Sequence, residues 1–113
     1  MARDSYHVIV YQILAYLYMQ MKAGQQIDPR MIAADSPYLK INEIYWTNVM
    51  INLLNAGYID GVKTTRTGCG NVIILDTSNC MITHEGLDYL CDNSFLNKAK
   101  EFLKDIKAIV PFI

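Results

Sequence analysis

The stretch LLNAGYIDGV, residues 53–62, decides the fold. An apolar helical run stops at Gly57, the residue type that best adopts the left-handed conformation closing a helix. Tyr58 and Ile59 then begin a β-type alternation with no intervening loop. Upstream, Asn42 can cap a helix over 43–56, with Glu43 in the first turn facing the positive end of the dipole. Trp46, Val49, Met50, Leu53 and Leu54 recur at helical spacing and form its buried face. Downstream, residues 58–82 read as a hairpin. Gly61 marks a bulge and the tip is Arg66-Thr67-Gly68-Cys69-Gly70-Asn71. The second strand runs over 72–75 and resumes at 80–82 after a kink at 76–79.

Working outward, Asp4 or Ser5 can cap a first helix over 4–23, with Gly24 as its stop. Tyr6, Ile9, Val10, Ile13, Leu14, Leu17 and Met21 share one face. Val8, Tyr11, Ala15 and Tyr18 make a second apolar stripe. A helix apolar on two faces is central in its own fold or shared with a partner, and both readings stand. Asp28 and Pro29 open a short helix over 29–34, ended by Ser36-Pro37. Thr83 caps a helix over 84–91. Asn93-Ser94 recaps a C-terminal amphipathic helix over 95–110, ended by Pro111.

The order is three helices, a hairpin and two helices. The expected fold is mainly α with a small antiparallel β-hairpin: a single winged helix-turn-helix domain over 1–113 with a C-terminal amphipathic helix. In DNA-binding domains of this kind the third helix enters the major groove.

Composition bounds the function. Of the 113 residues, 52 % are hydrophobic and 19 % charged, which excludes disorder. The net charge is −1, so no strong basic excess advertises a nucleic-acid binder. Acidic residues outnumber basic ones by three over 58–97, and basic residues lead by two over 98–113. No run of eighteen apolar residues exists, so no membrane span is expected. Arg3 and Asp4 followed by a tyrosine-studded segment do not read as a secretory leader. With three cysteines and no paired spacing, a cytoplasmic, reduced protein is expected.

Several ordered pieces carry a resemblance. Gly57-Tyr58-Ile59, then Ile82-Thr83-x-x-Gly86-x-x-Tyr89-Leu90, then Asn93-Ser94 before a lysine-bearing amphipathic helix, together resemble the YjcQ-like family. These are small winged-helix proteins of Gram-positive bacteria and their phages. The resemblance runs from about Tyr6 to Phe112 and implies the fold and a prophage or mobile-element setting. It implies no established activity. The tyrosines of the first helix and the Cys69/Gly70 tip match no motif of that family.

The third helix carries the candidate DNA contacts. Asn48, Asn52 and Asn55 form a polar stripe opposite Trp46 and Leu53, with Tyr45 at its border. Asparagine can pair with adenine through two hydrogen bonds in the major groove. The helix itself has no lysine or arginine, so Lys40 before it and Lys63 and Arg66 on the wing must supply the phosphate contacts. The rival reading is a protein-interaction module whose sticky face includes Ile44, Tyr45 and Ile51. Lys100, Lys104 and Lys107 give the last helix a basic flank that reads as solvated surface.

A homodimer is expected from the apolar stripes. Phe95, Ala99, Phe102, Ile106 and Ile109 step along the last helix by four and three, a spacing that suits docking against the first helix or pairing with another copy's helix, and Val8, Tyr11, Ala15 and Tyr18 add a second stripe on the first. Such a dimer would set two third helices against a palindromic site.

Catalytic and metal constellations are weak. Cys80 and His84 lie four apart, but no Cys-x-x-Cys exists, so no metal and no cofactor is expected. Asp76, Ser78 and His84 could be drawn as a triad, but no oxyanion device accompanies them. Neither an enzyme nor a small-molecule substrate is expected.

Overall fold

The computed structural model describes residues 1–107. The chain forms four α-helices and a short, irregular hairpin. They are α1 (Tyr6–Ala23), α2 (Glu43–Asn55), α3 (His84–Asp92) and α4 (Ser94–Asp105). The strands are β1 (Ile59–Asp60), β2 (Lys63–Arg66), β3 (Val72–Asp76) and β4 (Met81–Ile82). The third helix of the sequence reading is therefore α2.

α1 is the axis of the core. Its residues are buried without a break from Val8 to Leu17. α3, α4 and β4 pack against it. From the 28–41 side, the Asp28 N–H donates to the Tyr16 hydroxyl at 2.9 Å. Of the two readings of the double stripe, the central helix is the one α1 adopts. Val8, Tyr11 and Ala15 are buried within the chain, as is Ala99 on α4, and packing inside one chain accounts for them. Tyr18 and Phe102 are half-buried. Phe95 and Ile106 remain outside, 50 % and 41 % exposed. Ile109 lies outside the described residues. Gly24 ends α1 at φ +67°, and the Gln25 N–H closes the turn on the Gln20 carbonyl at 3.0 Å.

The expected helix over 29–34 is not formed. One 3-10 turn, Pro29–Met31, replaces it. Asp28 caps that turn by accepting from the Arg30 N–H at 3.0 Å, and the Arg30 guanidinium holds both oxygens of the same carboxylate. Continuing the helix would require the Ile32 carbonyl to accept from the Ser36 N–H. The indole N–H of Trp46 takes that carbonyl instead, at 2.7 Å, and the Ser36 N–H turns to Ala33. Pro37 reinforces the break by disfavouring helix at Ser36. The helix-turn-helix motif thus keeps α2 and reduces its preceding helix to a turn.

α2 forms as its caps dictate. Asn42 accepts from the Tyr45 N–H at 2.8 Å, and Trp46, Val49, Met50 and Leu53 are buried. At its end Gly57 sits at φ +76°, and the Tyr58 N–H reaches back to the Leu53 carbonyl at 2.9 Å.

The wing is one long hairpin broken into two short ladders. β1 pairs antiparallel with β4, Ile59 opposite Ile82. β2 pairs antiparallel with β3, Arg66 opposite Val72 and Lys63 opposite Asp76, with a bulge between Lys63 and Thr64. At the kink, Asp76 accepts from both the N–H and the hydroxyl of Ser78 at 2.9 Å. Those bonds, with the Lys63 charge nearby, hold the Asp76 carboxyl below its ordinary pKa.

Thr83 ties the wing to the helices. Its hydroxyl donates to the Gly57 carbonyl and accepts from the Gly86 N–H at 3.0 Å. Its own N–H donates to the Tyr58 carbonyl at 3.1 Å. The Tyr58 ring stacks on Tyr89, centroids 4.3 Å apart and planes 14° apart. The Gly-Tyr-Ile and Thr-x-x-Gly-x-x-Tyr pieces of the sequence are therefore two halves of one joint.

α4 begins as expected, with Asn93 accepting from the Phe95 and Leu96 N–H groups. Among the described residues it ends at Asp105, with Lys107 in the left-handed region at φ +53°, and the expected end at 110 lies outside them. No helix among the described residues is long and apolar enough to cross a membrane.

Cys80 is buried in the core, and that burial, with Asp60 nearby, pushes its thiol up to about 12. Cys69 and Cys91 are exposed. A thiol-alkylating reagent under native conditions is therefore expected to modify Cys69 and Cys91 and to reach Cys80 only in denaturant, read by mass spectrometry of the intact chain.

Candidate nucleic-acid interface

The outer face of α2 carries the polar stripe intact. Asn48, Asn52 and Asn55 are exposed, and Ile44 beside them is 78 % exposed. Asn55 joins the wing directly. It lines a groove of about 480 Å³ together with Ile51 and Leu54 of α2 and Val62, Thr64, Thr65, Arg66 and Val72 of the hairpin. Its lining mixes aliphatic side chains with an amide, two hydroxyls and a guanidinium. Arg66 shares its pleat face with Val72 and makes only a long hydrogen bond, 3.4 Å, to the Gly70 carbonyl.

The other candidates stand differently. Lys63 is exposed but lies opposite Asp76, which offsets its charge. Tyr45 is half-buried, and its hydroxyl donates to the Asp4 carbonyl at 2.7 Å. Burial first, and the charge of Asp4 second, raise its pKa. Tyr45 thus anchors the segment before α1 rather than presenting a free hydroxyl to a base edge. Lys40 sits two residues before the α2 cap at φ +50°. It lines a second concavity, about 430 Å³, with Arg3, Asp4, Tyr38 and Leu39.

That concavity supplies a residue the sequence reading missed. Arg3 is brought beside Lys40 by the Tyr45–Asp4 hydrogen bond, which spans 41 positions and has no local signal. Cations therefore bracket α2. Arg3 and Lys40 lie at its N-terminal end, and Arg66 lies beside its C-terminal end, with Lys63 further along the same strand. Between them runs an asparagine strip on a helix about 20 Å long at 1.5 Å per residue. Asp4 and Glu43 subtract from the first cluster.

α3 presents the opposite charge. Glu85, Asp88 and Asp92 surround a concavity with Tyr58, Tyr89 and Asn93, and no lysine or arginine lines it. A phosphate backbone would be repelled there. The residues once drawn as a triad do not converge: the Ser78 hydroxyl donates to Asp76, while His84 Nε2 lies 3.5 Å from Asp88. Among the described residues no group of three or more His, Cys, Asp or Glu side chains is placed to hold a metal ion.

Helix α2, the β2–β3 wing and the α3 joint define a winged helix. The chain belongs to the YjcQ family, whose model, described as YjcQ protein, matches residues 11–109. No curated protein and no solved structure matches it.

Proposed function

We propose that this chain is a winged-helix DNA-binding protein of regulatory or prophage type, with α2 and the wing as its contact surface. The observation that carries the reading is the bracketing of the asparagine strip by cations at both ends of α2. In this reading Asn48 and Asn52 face base edges, Asn55 and Arg66 sit at the junction of groove and backbone, and Lys40, Lys63 and Arg3 hold phosphates. No catalytic step, metal or cofactor is assigned. The few cations, two of them offset by Asp76 and Asp4, make the complex weak and salt-sensitive.

The test is a pair of variants titrated against duplex DNA. Arg66→Glu removes one phosphate contact and adds a repulsion, so affinity falls about tenfold or more at low salt. Asn52→Ala relaxes sequence preference with a smaller loss on nonspecific duplex. Equal affinity of wild type and Arg66→Glu overturns the assignment.

One observation favours a second reading, a protein-interaction module. Ile44, in the first turn of α2 on the same face, is the most exposed large apolar side chain of that helix. In that case Ile44→Lys abolishes partner capture, and Arg66→Glu leaves it intact.

A further inference from the structure

β3 is a five-residue strand, Val-Ile-Ile-Leu-Asp, with only one of its edges used. β2 occupies that edge, and among the described residues no strand pairs with the other. Soluble proteins blunt a free edge with lysine, proline, a bulge or a covering element. β3 contains no lysine and no proline. Its outward side chains, Ile73 and Leu75, are 41 % and 61 % exposed. The strand thus offers unpaired main-chain groups and an apolar outer face together.

We propose that β3 pairs antiparallel with β3 of a second copy of this chain, joining the two wings into one four-stranded sheet. The sequence of the strand selects that occupant. In a two-fold pairing the register that matches all five residues is centred on Ile74. It sets Ile73 beside the partner's Leu75, and Leu75 beside the partner's Ile73, so the four outward side chains form one apolar row. Asp76, the only charge on the strand, falls opposite the partner's Val72. The two Asp76 carboxylates lie at opposite ends, about 14 Å apart at 3.4 Å per residue. Because Arg66 is paired with Val72, the partner's Asp76 enters the same cross-strand row as Arg66, a favourable sign. The apolar stripe of α1 cannot serve instead, since Val8, Tyr11 and Ala15 are already buried within the chain.

The inference stands apart from DNA binding, because it is tested with no nucleic acid present. Sedimentation equilibrium of the wild-type chain is expected to give twice the chain mass. Leu75→Lys is expected to halve that mass with an unchanged far-UV circular dichroism spectrum, while Ile44→Lys, the same change at a more exposed apolar residue on α2, leaves the dimer in place. A second measurement reads the register. With Cys69 and Cys91 replaced by serine, Ile74→Cys is expected to form a disulfide-linked dimer under mild oxidation. Its two Cα atoms would face each other at about 4.5–5.5 Å, within disulfide range. Val72→Cys, placed opposite Asp76, is expected not to link. A wild-type chain monomeric at every concentration overturns the proposal. So does a dimer that survives Leu75→Lys, or equal linking at 72 and 74.

Discussion

Gly86→Ala is expected to be among the most damaging single substitutions in this chain. Gly86 is buried in the first turn of α3. A Cβ there would land on the Tyr58 carbonyl oxygen and press the Ile82 side chain. Neither can yield cheaply. The Tyr58 carbonyl already accepts the Thr83 N–H, and Tyr58 is fixed by its stack on Tyr89. Making room means moving α3 away from the start of the wing, which breaks the Thr83 cap and the Ile59–Ile82 pairing at once. Overpacking against backbone of this kind costs ~3 kcal/mol, a large share of a small domain's stability. Urea denaturation followed by circular dichroism reads it as a lower midpoint. Gly68→Ala is the control, because open space surrounds a Cβ at Gly68. A Gly86→Ala midpoint equal to wild type would mean that the joint is looser than these contacts require.

Leu103→Ala is expected to cost about 2–5 kcal/mol, the range for truncating a fully buried leucine. Leu103, Leu96 and Ala99 are wholly buried on the face of α4 that packs on α1. Phe95 in the first turn of α4 and Ile106 at its C-cap are 50 % and 41 % exposed. The same truncation at Ile106 should change stability by less than about 0.5 kcal/mol, the usual range for surface positions. The contrast separates a helix that completes the core of one chain from one held by a partner. In the second case both truncations would act through the dimer, and the loss would shrink as protein concentration rose. Denaturation at two well-separated concentrations distinguishes the two.

What the sequence disclosed follows the range of the interactions. Asn42, Thr83, Asn93 and the glycines at 24 and 57 act on backbone groups within a few positions of themselves, and each helix start or stop they announce is present. The 29–34 helix was misread because its competitor is remote: Trp46 takes the Ile32 carbonyl from fourteen positions away. The second stripe of α1 was ambiguous for a related reason. Periodicity names a face but not its cover, and here α4 of the same chain supplies it. In the candidate interface the asparagine stripe was legible from helical spacing alone. Arg3 was not, nor was the commitment of the Tyr45 hydroxyl to Asp4. Both depend on one long-range hydrogen bond. The offset of Lys63 by Asp76 needed the register of a hairpin that contains a bulge.

The central claim is that α2 and the wing bind duplex DNA through a small set of phosphate contacts. Fluorescence-anisotropy titration of mixed-sequence duplex at several salt concentrations tests it most directly. The account predicts binding that weakens with salt, with a log–log slope of about −2 per bound protomer, set by Arg3, Lys40, Lys63 and Arg66 with two of the four offset by Asp4 and Asp76. No binding at the lowest salt would contradict it.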